Sequence, residues 1–105
     1  MIDTSKAELL RPAVNRGYHQ GYLTGQTDRL NRRTSNYGIS HVYRSGSYGY
    51  QSYADAAALY RHYFREGFRR GYEDGYNSTF RYGTRSGNNF NILGNILGTI
   101  LQFAD

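Results

Sequence analysis

Residues 15–25 read Asn-Arg-Gly-Tyr-His-Gln-Gly-Tyr-Leu-Thr-Gly, and residues 65–76 read Arg-Glu-Gly-Phe-Arg-Arg-Gly-Tyr-Glu-Asp-Gly-Tyr. Each stretch sets glycine at every fourth position: Gly17, Gly21 and Gly25, then Gly67, Gly71 and Gly75. Aromatic residues follow directly at Tyr18, Tyr22, Phe68, Tyr72 and Tyr76, and the two copies lie 50 residues apart. A period of four fits a helix and does not fit a strand. In the second copy the aromatics extend upstream, so that Tyr60, Phe64, Phe68, Tyr72 and Tyr76 form one i,i+4 row. The pattern predicts a glycine groove beside an aromatic ridge, and ridges of this kind pack into grooves on a second helix.

Glycine inside a helix costs about 1 kcal/mol relative to Ala. Six of them cost an amount comparable to the whole stability of a small domain, roughly 5–15 kcal/mol. A chain that keeps them needs the close backbone approach they allow. Gly17, Gly21, Gly25, Gly67, Gly71 and Gly75 are therefore read as contact positions, with Tyr18, Tyr22, Phe64, Phe68, Tyr72 and Tyr76 as the rings that fill the groove.

Boundary signals frame two main helices. Ser5 and Glu8 have capping-box spacing, Pro12 interrupts or opens a helix, and the first main helix is predicted over about 12–33. Ser52 and Asp55 give a second capping signal, and a second helix is predicted over about 53–80. Residues 35–51, rich in Ser, Gly and Tyr, read as a loop that is either ordered by its tyrosines or mobile. It is long enough to return the chain in either direction. An antiparallel pair is favoured because it relates the two repeats by a pseudo-two-fold axis. A Gly/Asn-rich link at 83–91 leads to three apolar tetrads over 92–103, with Ile92, Leu93, Ile96, Leu97, Ile100, Leu101 and Phe103 as docking residues. A helix this short is marginal in water and must pack on something. It covers the pair's open face or it links copies of the chain. The expected fold is one all-α domain over 1–105: two closely packed glycine-groove helices, a long connecting loop and a short apolar C-terminal helix.

Composition narrows the roles. The chain has 105 residues, no Cys, no Trp, 12 Tyr, 5 Phe and a net charge of +5. Without Cys there are no disulfides, thiol nucleophiles or thiolate metal sites. Residues 11–50 carry six Arg against one Asp. The longest apolar-rich run is about 12 residues, short of the ~20 a membrane-spanning helix needs, and the first ten residues lack the pattern of a signal peptide. His19, His41 and His62 stand in no metal-binding spacing, and no nucleophile–base motif or phosphate loop is present. No catalytic residue, metal, cofactor or small-molecule substrate is expected.

The pattern GYxxGYxxG, then Asp28-Arg-x-Asn-Arg-Arg33, then a Tyr-rich stretch and the block Tyr60–Tyr76, resembles an uncharacterised family of small, usually exported bacterial proteins with tandem Gly-Tyr helical repeats. The resemblance covers roughly residues 15–80 and implies an extracytoplasmic (periplasmic or secreted) setting. It implies no chemistry.

Two roles remain. One is a structural protein that self-associates, as a homo-oligomer or filament, through its grooves, ridges and apolar tail; a fibre or envelope-associated assembly would follow. The other is a binder of an anionic polymer, nucleic acid or acidic glycan, with Arg29, Arg32, Arg33 and Arg44 as the basic stretch and Tyr37, Tyr43 and Tyr48 as stacking surfaces. The first is the favoured expectation.

Overall fold

The computed structural model describes residues 10–50 and 57–102. Helix α1 spans Arg11–Leu30, a 3-10 turn spans Tyr37–Ile39, and a short helix α2 spans His41–Ser45. Helix α3 spans Ala57–Asn77, strands β1 (Gly83–Ser86) and β2 (Asn89–Ile92) form a hairpin, and helix α4 spans Gly94–Gln102. The capping signals at Ser5/Glu8 and Ser52/Asp55 lie outside the described residues, as does Phe103. Pro12 sits in the first turn of α1, where a missing N–H costs no hydrogen bond.

The fold is mostly helical but not all-α. The segment expected to be a Gly/Asn-rich link is a two-stranded antiparallel sheet, pairing Gly83 with Ile92 and Ser86 with Asn89. Its turn is Gly87-Asn88, and Gly87 has φ 62°. Glycine supplies that left-handed conformation without strain. Ile92, read as the start of the apolar segment, is the last residue of β2, and α4 begins two residues later.

The glycine seam forms, and it runs parallel. A Cβ built on Gly17, Gly21 or Gly25 would meet the carbonyl oxygens of Phe64, Phe68 and Tyr72 in that order. One built on Gly67, Gly71 or Gly75 would meet those of Val14, Tyr18 and Tyr22. Both series rise together, so α1 and α3 point the same way. The antiparallel expectation is overturned. Adding 50 to the first series and subtracting 50 from its partners gives the second series. The pair therefore has a pseudo-two-fold axis along the helices. A parallel pair needs a return path the length of α1, about 30 Å for 20 residues, and the long connection from residue 31 onward supplies it.

Over residues 37–50 that connection is held by its rings. Tyr37 meets Tyr72 at 6.4 Å between centroids, Tyr43 meets Phe68 at 5.5 Å, Tyr48 meets Phe64 at 6.4 Å and Tyr50 meets Tyr60 at 5.2 Å. The crossover thus descends α3 ring by ring, one rung per helical turn. Asn36 accepts from the Gly38 N–H, and Ser40 caps α2 by accepting from the Tyr43 N–H. These local bonds replace the helical period that this stretch lacks. Tyr18 and Tyr22 of α1 are covered instead from the hairpin side: Gly83 abuts the Tyr18 ring, Phe90 stacks on Tyr22 at 4.0 Å, and Phe80, just before the hairpin, stacks on Tyr22 at 5.3 Å. The groove is filled by the facing backbone, while the rings line the seam and receive the covers. That corrects the expectation that rings fill the groove.

Leu97, Ile100 and Leu101 of α4 join the same core as Leu10, Val14, Phe64 and Tyr63. The apolar tail covers its own chain. Leu93 and Ile96 are partly buried.

Candidate functional site

Two aspartates are buried in this core, Asp28 at 6% exposure and Asp74 at 0%. A buried carboxylate is costly unless hydrogen-bonded. The Tyr18 hydroxyl donates to Asp74 Oδ2 at 2.7 Å, and the backbone N–H groups of Tyr82 and Arg81 donate to its two oxygens at 2.8 and 3.2 Å. The Tyr72 hydroxyl donates to Asp28 Oδ2 at 2.6 Å, and the Arg33 guanidinium stands 3.6 Å from Oδ1. Each tyrosine reaches across the seam to a residue six positions further along in repeat register. The two clamps are the same bond made from opposite helices, one turn apart. Gly83 makes room for the first, since a Cβ there would strike the Tyr18 ring.

The same aspartates end their helices. The Arg33 N–H bonds to the Asp28 carbonyl and the Thr79 N–H to the Asp74 carbonyl, with Arg32 (φ 57°) and Ser78 (φ 53°) in left-handed conformation. This is the Schellman closure, made twice. The signal in the sequence is Asp-x-x-Asn, at Asp28–Asn31 and Asp74–Asn77, and its 46-residue spacing breaks register with the 50-residue glycine repeat. Asp74 is thus buried while its sequence neighbour Glu73 lies on the surface and pairs with Arg81 at 3.5 Å.

Burial and the bond to Asp74 push the Tyr18 hydroxyl far above its ordinary pKa; burial and the bond to Asp28 push Tyr72 up to about 12. Burial raises Tyr22, Tyr63 and Tyr82 as well. A raised folded-state value means stability is complete below the unfolded value near 10 and is lost as pH climbs through the folded value. The protein is expected to hold constant stability from about pH 8 to 10. Above that it loses about 1.4 kcal/mol per pH unit for each tyrosine still protonated only in the fold. Urea midpoints between pH 8 and 12 check this; a midpoint flat to pH 12 contradicts it.

The positive charge lies outside. All twelve Arg are among the described residues, against four carboxylates there: Asp28, Glu66, Glu73 and Asp74. Two of those are buried, and Glu66 is shared by Arg69 and Arg70 at 3.4 and 3.0 Å. Other guanidiniums, Arg16, Arg29, Arg65 and Arg85 among them, rest on carbonyls and rings. Arg29 stacks over Tyr76 at 5.1 Å, Arg65 over Tyr43 and Arg69 over Tyr37 at 5.9 Å, and Arg85 over Phe90 at 5.9 Å. Arg65 also donates to the Tyr43 and Arg44 carbonyls, and Arg16 donates to the Gly49 carbonyl at 3.0 Å. Where no carboxylate is also in reach, as at Arg16, Arg29 and Arg65, interactions of this kind hold the side chain but do not neutralise its charge.

No family model, curated protein or solved structure matches this chain.

Of the predicted basic stretch, Arg29, Arg32 and Arg33 gather at the C-terminal end of α1, while Arg44 lies on α2. The row Arg61, Arg65, Arg69 on α3 escaped the sequence reading, although its i,i+4 spacing is legible. Tyr37 and Tyr43 are already stacked by arginines of α3; Tyr48 is 51% exposed. Clefts open on the surface among the described residues. One of about 400 Å³ lies between α1 and the crossover, lined by Leu23, Thr27, Asp28, Arg33, Ile39 and His41. One of about 310 Å³ lies on the α3 flank beside Tyr37, Arg69, Arg70 and Tyr82. One of about 330 Å³ lies on the α1 flank beside Asn15, Arg16, His19, Gln20, Tyr48 and Asn91. No group of three or more His, Asp or Glu among the described residues is placed to hold a metal ion. No described helix is long and apolar enough to cross a membrane.

Proposed function

We propose that this chain is a non-enzymatic binding module for an anionic polymer. The supporting observation is the charge balance among the described residues: twelve arginines stand against four carboxylates, two of them buried, and the guanidiniums of Arg16, Arg29, Arg65 and Arg85 are held by carbonyls and rings. Arginine fixed in this way offers a planar fork to phosphate, sulfate or carboxylate with little further loss of side-chain entropy. A self-associating structural role would have to use other surfaces, because the glycine seam and the apolar tail are both occupied within one chain. The extracytoplasmic setting rests on the family resemblance alone.

The test is binding of fluorescent oligo(dT) and oligogalacturonate across a range of salt. The logarithm of affinity is expected to fall linearly with the logarithm of salt concentration. The Arg29→Gln/Arg32→Gln/Arg33→Gln variant is expected to reduce the slope by about one for each anionic group that an arginine no longer neutralises. Binding to neither polymer, or a slope near zero, contradicts the reading.

A further inference from the structure

The two helices share one frame, so their outer flanks can be compared position by position. On α3 the positions Arg65, Glu66, Arg69 and Arg70 are charged, and Glu66 is paired with both Arg69 and Arg70. The equivalent α1 positions, 50 residues earlier, are Asn15, Arg16, His19 and Gln20. Where the α3 flank cleft is lined by Arg69, Arg70 and Glu73, the α1 flank has a cleft of about 330 Å³ lined by amides, an imidazole and one guanidinium, with no carboxylate among its lining residues.

Its polar groups are oriented by the fold. Asn15 donates from Nδ2 to Asn91 Oδ1 at 2.9 Å and accepts at Oδ1 from the Ile92 N–H at 2.9 Å. Both amides are thereby fixed, and Asn91 keeps its Nδ2 donors for the cleft. His19 accepts at Nδ1 from the Phe90 N–H at 3.1 Å, so its proton is on Nε2. Arg16 is held by the Gly49 carbonyl and, at 3.4 Å, the Tyr60 hydroxyl. The Tyr48 ring stands half-exposed at the edge.

We infer that this cleft binds one unit of an acidic polysaccharide, a sugar ring that carries its own carboxylate. The inference rests on the polyanion reading and names the polymer. Sugar hydroxyls both donate and accept, which suits oriented amides and a fixed imidazole tautomer. The apolar face of a pyranose stacks on an aromatic ring. A carboxylate borne on the ring falls within the same small space as Arg16. In a nucleic acid the charge sits on phosphates apart from the hydrogen-bonding base, whereas a uronate carries carboxylate and hydroxyls on one ring.

The test compares oligogalacturonate with oligo(dT) of matched charge, at equal salt, on the full chain. Gln20→Ala and Tyr48→Ala remove cleft groups that make no side-chain hydrogen bond in the described fold, and their melting temperatures check folding. The uronate is expected to bind at least tenfold tighter than oligo(dT). Each variant is expected to weaken uronate binding about tenfold, and Gln20→Ala is expected to leave oligo(dT) unchanged. Amide shift mapping on the unmutated protein is expected to place the uronate at Gln20, Tyr48 and Asn91. Equal affinity for both polymers, variants without effect on the uronate, or shifts confined to other surfaces overturn this inference and leave the polyanion reading standing. Binding to neither polymer overturns both.

Discussion

Gly71→Ala is expected to destroy the fold. The added methyl carbon would sit 2.0 Å from the Tyr18 carbonyl oxygen and 2.8 and 2.9 Å from two further Tyr18 backbone atoms. None of these is the end of a flexible side chain, so α1 and α3 would have to separate by about an ångström. A gap of that size forfeits a quarter to a half of each dispersion contact along the seam. The cost is expected to exceed about 4 kcal/mol, which belongs to the exceptional class of single substitutions. Against a total stability of roughly 5–15 kcal/mol, the melting temperature should fall by about 20 °C or more, or the cooperative transition should vanish. Gly98→Ala is the matching control. Gly98 lies inside α4 with open space where its Cβ would be. There the same substitution should stabilise by up to about 1 kcal/mol through helix propensity. Thermal unfolding by circular dichroism distinguishes the two, and an unchanged melting temperature for Gly71→Ala would contradict the seam.

The second large effect is expected at Asp74. Its carboxylate takes hydrogen bonds from the Tyr18 hydroxyl and from the backbone N–H groups of Arg81 and Tyr82, so it ties α1, α3 and the start of the hairpin together. Asp74→Ala leaves the Tyr18 hydroxyl, 0% exposed as part of a buried ring, without its partner. A donor left unsatisfied in this way costs about 1–3 kcal/mol. With two backbone donors also released, the destabilisation should reach roughly 3–5 kcal/mol in urea unfolding. Tyr18→Phe should cost less, because Asp74 keeps its backbone donors. A double-mutant cycle of Tyr18→Phe with Asp74→Asn should return a coupling of about 1 kcal/mol or more. Additive effects would show that the clamp contributes nothing specific.

The glycine seam was legible because a four-residue period of glycine has few physical uses in a helix. Its direction was not, because the symmetry argument favouring an antiparallel pair holds equally for a parallel one. The discriminating signal was the length of the connection. Antiparallel helical neighbours are usually joined by about 2–8 residues, and no such economy appears between Leu30 and Ala57. The hairpin was hidden by its shortness: each strand has four residues. Its Gly87-Asn88 turn and the alternation of Asn89, Phe90, Asn91 and Ile92 were nonetheless written in the sequence. The aspartate clamps were obscured because adjacent Glu73 and Asp74 look alike until burial separates them. Four arginines stood out by local charge density, but the Arg61–Arg65–Arg69 row and the α1-flank cleft depend on which helix faces the folded crossover and hairpin cover.

The glycine seam is parallel and closes within one chain. The protein has no Cys, so introduced thiols are the sole labelling sites. Spin labels at Leu30→Cys with Asn77→Cys, and at Arg11→Cys with Asn77→Cys, are measured by pulsed electron resonance in samples diluted with unlabelled protein. In the parallel arrangement Leu30 and Asn77 stand at nearly the same level, while Arg11 lies about 16 helical residues, or roughly 24 Å, below. The shorter distance is expected for the Leu30/Asn77 pair, undiminished in signal by dilution. A shorter distance for the Arg11/Asn77 pair would make the helices antiparallel, and loss of the Leu30/Asn77 distance on dilution would place the seam between chains.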